Sequence, residues 1–556
     1  MGLFDKVWHL PLNWFGLHDM PAVPVKFSGL LDTILKLVKR AEQRLRARDG
    51  LTNLYTIGGQ TATAERFMYG PQKLTALSLE RPEQFAISWT NYQGVFARYA
   101  HLIPDYAATL SDPEHATRRF WPLIAEQGCA FNLLMLHKAA AADLSRLHDQ
   151  FASAWSADWD KLAERGGLFF IDLSIFTMLT PGALAGFPRF TPATVTLLAQ
   201  DPATKALTPF AVRVSGQDDA GKQYFVKGQA TASAWLYALQ AAKTSLTVYG
   251  IWLGHVYHWH IVTAAMQMAM FNTLNSDHPV YKLVAPQSNY LFQFDEVLLA
   301  VWNAIAPPTS VTTRSGILRL WNRFGKGRDF FADDPTTTLQ TNGIVVGDFT
   351  RDKPWDLYPA AQGLLQLWSD TERYANGFVD ITYATDAEVR DDVHLQAWMR
   401  HAADPSGGNI RGLPTLDSRA ALVRVLTSLI YRITAHGSSR LMPAAYPGLA
   451  FVANWPPCMQ IAAIPSPQAE LTTGQLLAYL PKTGTIASMT DFFTTFVFTA
   501  PYVSFIPKEG VDTDLFFPVG DPRNKALVAY REALIAFIKS YAPGETLQQW
   551  PRDIET

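Results

Sequence analysis

Between Thr244 and Ser276 the chain carries no Asp, Glu, Lys or Arg, and this stretch constrains the fold more than any other. An uncharged run of that length is either a membrane span or the middle of a large core. It contains His255, His258 and His260 together with Gln267, Asn272 and Asn275, and no second run of comparable length accompanies it. Lipid would leave those polar groups without partners. The run is therefore read as a helix buried at the centre of a mainly α-helical protein, with no transmembrane segment. Each imidazole in it then needs a hydrogen-bond partner or a metal.

Composition agrees. Apolar residues make up 48% and charged residues 17% of 556 positions, enough for one large core, and the chain is read as a single domain over 1–556. A formal net charge of −2, with no aromatics interleaved among Lys and Arg, excludes a nucleic-acid partner. Two cysteines, Cys129 and Cys458, exclude a disulfide framework or a thiolate cluster and suit a reducing, cytoplasmic setting. The amino terminus has neither a secretory signal nor the myristoylation pattern, since residue 6 is Lys. There is no His-Glu-x-x-His, no Gly-x-Ser-x-Gly and no phosphate-binding glycine loop.

Helical periodicity dominates the rest, over 27–48, 118–152, 232–272, 359–380, 417–435 and 524–541. The first of these has a basic face (Lys36, Lys39, Arg40) that is either solvated or rests on a membrane surface. Strand-like segments cluster at 166–176, 193–201 and 207–215 and predict a small antiparallel sheet region, about 166–230, in front of the buried helix. Gly, Pro and Asp signals predict surface loops at 322–343 and 402–414. Oligomeric state has no sequence signature here.

Four of the thirteen histidines fall between 255 and 278, where about half of one is expected by chance. Taken singly, each reads as a core histidine bonded to backbone. As a group they compete as metal ligands, because imidazole suits iron, zinc and copper. Spacing alone favours His255 with His258 as the pair. His255 and His258 share a face of a regular helix, whereas His255 and His260 lie about 140° apart unless the helix widens into a π-type turn.

The run from Trp235 through "HVYHWH" to "HPVYKLVAP" resembles the metal helix of the lipoxygenases. In that family a His-x4-His pair on a π-distorted helix binds iron, and the His-Pro motif begins eighteen residues later, as His278 follows His260 here. "GGLFFIDLSIF", "ATVTLLAQDPATKALTPFAVRV", "RYANGFVDITYATDAEVRDDVHLQAWMRH", "SRAALVRVLTSLIYRITAHGSS" and "PPCM" are similar to further family segments. The resemblance implies a large helical catalytic domain of bacterial type, without an amino-terminal β-barrel. It implies non-haem iron held by His255, His260 and His436, and oxygenation of a polyunsaturated fatty acid or similar apolar chain by O2. His278 then belongs to a structural motif, and His258 stands behind the ligands.

Two departures from the family pattern concern the iron. Its fourth side-chain ligand position is Arg440, and a guanidinium has no lone pair to give. The tail reads as about four residues short of the family's terminal Ile carboxylate, a gap of roughly 13 Å. Three outcomes follow. An acid of the tail (Asp553, Glu555 or the Thr556 carboxylate) moves in to ligate; an anionic substrate pairs with Arg440; or redox function is lost and a silent lipid- or partner-binding fold remains. A three-histidine zinc site doing non-redox work is the remaining reading.

Overall fold

The structure is a computed structural model describing residues 51–57, 60–64, 108–127, 135–184, 187–275, 277–284, 312–433, 456, 458–480 and 517–540. The expected helix at 27–48 lies outside them.

Two strands, β1 (Leu51–Ile57) and β2 (Gln60–Ala64), form an antiparallel pair. Helix α1 (Pro113–Gln127) follows, then strand β3 (Leu136–Lys138) and helices α2 (Ala141–Phe151) and α3 (Ala157–Glu164). The single helical run expected over 118–152 is thus two helices with a strand between them. Strands β4 (Leu168–Asp172), β5 (Gly182–Leu184), β6 (Phe187–Arg189), β7 (Ala193–Gln200), β8 (Leu207–Ser215) and β9 (Gln223–Val226) come next.

The larger sheet has the order β3-β4-β7-β8-β9, antiparallel throughout, so it begins at Leu136, earlier than expected. Its pleat explains its two covers. Phe169, Ile171, Leu198, Val212 and Val214 face the helical core. Leu168, Phe170, Val195, Leu197 and Ala211 face the other way, where Leu147 and Phe151 of α2 and Trp159 and Leu162 of α3 cover them. That double cover is why β7 reads as a nearly continuous apolar run.

The centre of the molecule is the uncharged run. Helix α4 (Ala232–Tyr249) starts at a Thr231 cap, whose hydroxyl accepts from the Ala234 amide at 3.2 Å. It continues as a π-helix through Gly250–Ile261 and as α5 (Val262–Thr273). Trp235 Nε1 donates to Thr117 Oγ1 at 2.8 Å, tying α4 to α1, and the Ser245 hydroxyl donates to the Pro192 carbonyl at 2.7 Å beside β7. No helix among the described residues is long and apolar enough to cross a membrane.

Around this axis lie α6 (Pro279–Val284), α7 (Arg314–Gly325), α8 (Pro335–Thr341), α9 (Pro359–Thr382), α10 (Asp386–Asp391), α11 (Val393–Ala403), α12 (Arg419–Tyr431), α13 (Thr473–Tyr479) and α14 (Pro522–Ser540). The segment 322–343 is not the expected surface loop. It comprises the end of α7, a 3-10 turn Phe330–Asp333 and all of α8. Phe330, Phe331, Asp333 and Asp334 are buried there, and Pro335 opens α8 at the position where a missing amide costs nothing. The segment 402–414 is irregular beyond α11, yet Gly407 and Gly408 are buried, packed so closely that a Cβ on either would collide with carbonyls of α11.

Candidate metal centre

The conformation of Gly250–Ile261 bears directly on the histidine pair. In a π-helix each amide donates to the carbonyl five residues earlier, so positions five apart stack as positions four apart do in an α-helix. His255 and His260 are such positions. The Trp252 carbonyl in the widened segment also accepts from outside, from Trp321 Nε1 of α7 at 2.8 Å. The side chains of His255 and His260 lie outside the described residues, and so do His436, Arg440, Asp553, Glu555 and Thr556 entirely. Beyond helix α12, Arg432 and Ile433 continue with π-type hydrogen bonding, and in sequence Ile433 stands three residues before His436. Among the described side chains no three His, Cys, Asp or Glu groups converge on a common metal position.

His258, between the two expected ligands, is fully buried, and its Nδ1 meets Asp333 Oδ2. Burial pushes the imidazole down to about 4 against the pull of Asp333, so at neutral pH the ring is uncharged. Its Nδ1–H then donates to the carboxylate. Asp333 also accepts from Arg328, and Arg432 Nη1 lies 3.4 Å from Asp333 Oδ2. Burial alone would raise this carboxyl, but Arg328, then His258 and Arg432, hold it well below the carboxylate range.

Aromatic faces line the cluster. Arg328 sits 4.5 Å over the Phe324 ring and Arg432 4.8 Å over the Phe330 ring, and Phe324 packs edge-on to both Tyr257 and His258. Next in sequence, Asp334 is raised to about 7 by burial, and it accepts from the Ser428 hydroxyl of α12 at 2.5 Å. Sequence reasoning missed Asp333, Arg328 and Arg432. The one available signal was the Asp-Asp-Pro triplet after two phenylalanines, which reads as a helix start as well as a turn.

His278 serves another purpose. Its Nδ1 accepts from the Val280 amide at 3.2 Å in the first turn of α6, and its Nε2 lies 3.0 Å from Asp392 Oδ2. Both ring nitrogens are used in the fold.

The donor set expected of the site, three imidazoles from two buried helices, suits a transition ion such as iron or zinc. The π-helical stacking of positions 255 and 260 fits that use.

Comparison with known proteins places the chain. A lipoxygenase family model matches residues 339–502, the span holding α12 and His436. The human polyunsaturated fatty acid lipoxygenase ALOX15B is 26% identical over 326 residues, covering 57% of this chain and 46% of that protein. The linoleate 9/13-lipoxygenase of Pseudomonas aeruginosa is 26% identical over 343 residues, covering 58% and 47% respectively. The chain thus spans about half the length of the curated relatives it matches. Among solved structures, a calcium-dependent 11R-lipoxygenase superposes with a TM-score of 0.67 at 16% identity, over 92% of this chain and 77% of that one. A fungal lipoxygenase from Fusarium graminearum gives 0.64 at 15%, over 80% and 70%. Motif spacing, fold and matched relatives agree: the chain is similar to the lipoxygenases in sequence over 57% of its length and shares their fold.

Proposed function

We propose that this protein is a non-haem iron oxygenase of lipoxygenase type, in which His255, His260 and His436 hold the metal. Its substrates would be O2 and a polyunsaturated fatty acid or a similarly long apolar chain. The observation that carries the reading is the π-helical backbone of Gly250–Ile261, which stacks positions 255 and 260. The relatives named for polyunsaturated fatty acids and for linoleate suggest the substrate class.

Bound iron would supply the one-electron chemistry that takes hydrogen from a bis-allylic carbon and opens it to oxygen. The protein's part is to hold and to exclude. Trp252, Leu253, Met266 and Met270, buried on the same central helix, keep bulk water from its neighbourhood. Arg440 would supply a positive charge four residues past His436, a partner for an anionic co-ligand such as the Glu555 or Thr556 carboxylate or for an anionic substrate. The cysteine-poor composition suits a cytoplasmic setting, and the basic face of 27–48 would serve any peripheral membrane contact.

Iron content of the purified protein, paired with oxygen uptake over a panel of unsaturated fatty acids, tests the proposal. Close to one iron per chain and uptake confined to acids with a bis-allylic carbon are expected. A second reading rests on Arg440 itself: a cation at a ligand position is how a silent, lipid-binding descendant would look. Metal-free protein without uptake would establish that reading, and zinc in place of iron would mark a non-redox site.

A further inference from the structure

The two segments that carry the proposed ligands are remote in sequence, and one buried carboxylate touches both. Asp333 accepts from His258, midway between His255 and His260, and lies 3.4 Å from Nη1 of Arg432, four positions before His436. Asp333 belongs to neither segment. It sits on the 3-10 turn Phe330–Asp333, which is fixed by the Asp329 carboxylate accepting from the Phe331 amide at 2.8 Å and by the Phe330 amide donating to the Arg411 carbonyl at 2.9 Å. Arg432 reaches back to the same turn, donating to the Phe330 carbonyl.

Rotation is the quantity at stake. Were Gly250–Ile261 to relax to α-geometry, His255 and His260 would diverge by about 140° around the axis. A hydrogen bond from the residue between them resists that rotation. On the other segment, the Arg432 guanidinium is anchored four residues before the third proposed ligand. Buried charges in hydrogen-bonded geometry tolerate little displacement, because each is costly to leave unpaired.

We propose that Asp333 is a positioning residue for the metal centre, locking the His255–His260 turn to the Arg419–Ile433 segment that precedes His436 in sequence. The inference rests on the assignment of those three histidines as ligands. Arg328, the third partner of Asp333, belongs to neither segment.

The test is Co(II) binding to the full-length protein after chelation, followed by titration and by the visible d–d spectrum. In Asp333→Asn the far-UV circular dichroism should match wild type while Co(II) affinity falls by about 10- to 100-fold and the d–d bands shift. Arg432→Lys, which keeps the charge but loses the planar fork, should move both readouts the same way. Asp392→Asn breaks an ion pair on neither segment and should lower the melting temperature with Co(II) affinity intact. A folded Asp333→Asn or Arg432→Lys with wild-type affinity and spectrum overturns the proposal; if Asp333→Asn does not fold, Arg432→Lys alone decides. Wild-type protein that takes up neither Co(II) nor iron overturns the metal assignment itself, and the clamp with it.

Discussion

His278 and Asp392 join two segments that are far apart in the chain, with His278 Nε2 3.0 Å from Asp392 Oδ2. The imidazole caps the start of α6, while Asp392 caps α11 by accepting from the amides of His394 and Leu395, each at 3.1 Å. The Tyr383 hydroxyl adds a fourth donor at 2.8 Å. The His-Pro motif is therefore a joint between helices, built from one ring and one carboxylate.

That joint has a pH signature. Burial would raise the Asp392 carboxyl, but hydrogen bonds from His278, Leu395 and Tyr383 bring it down to about 2. A carboxyl depressed on folding stabilises the protein above its unfolded value near 3.8 and loses that contribution as pH falls toward 2. Asp392→Asn should cost about 2 kcal/mol at pH 7, the scale of charged hydrogen bonds, and progressively less below pH ~4. Urea unfolding at pH 7 and at pH 3 measures the difference, and an equal cost at both would contradict the assignment.

A second prediction concerns the wall of the widened helix. Gly325 ends α7 directly against the Tyr257 hydroxyl, and a Cβ there would overlap it. Tyr257 is buried and packed edge-on to Phe324, so its ring has little room to yield. Gly325→Ala should destabilise by about 1–3 kcal/mol, the usual cost of overpacking. Adding Tyr257→Phe removes the colliding oxygen and should recover part of it. A double variant no better than Gly325→Ala alone would mean that the strain lies elsewhere.

What could be read in advance, and what could not, divides along physical lines. The central helix and strands β7 and β8 were legible because burial writes a periodicity or an apolar run into consecutive residues. The widening over Gly250–Ile261 was legible only through the resemblance, since spacing alone favoured His255 with His258. Segment 322–343 misled because Gly, Asp and Pro mark a helix start as readily as a turn. Asp333 looked like a loop acid until His258 and Arg432, from two other places in the chain, were seen to join the nearby Arg328 around it. No local pattern encodes a partner a hundred positions away.

Gln267 offers a third test, of the helix interior. It is fully buried on α5 with neither amide atom hydrogen-bonded among the described residues, and one turn earlier the Thr263 hydroxyl is in the same condition. A buried amide without hydrogen bonds costs about 1–3 kcal/mol. Gln267→Leu, close in volume, should therefore raise stability by roughly 1–2 kcal/mol in urea unfolding. A loss of stability would reveal a bound water or ligand satisfying the amide in solution.

The last prediction separates the two histidine pairs. If His255 and His260 ligate through the π-turn, His260→Ala removes a donor and the purified variant should hold less than about a tenth of wild-type iron, since a two-imidazole remnant binds weakly. His258→Ala keeps all three ligands but strips Asp333 of one of its donors, so the variant should load iron when metal is in excess and then surrender it to a chelator about 10- to 100-fold faster than wild type. Iron per chain after desalting, followed by release into a colorimetric chelator, gives both numbers. The opposite ranking, with His258→Ala empty and His260→Ala loaded, would mean that the metal takes the pair three residues apart. The widened turn Gly250–Ile261 would then have to be explained by packing against Trp321 and Phe324 alone.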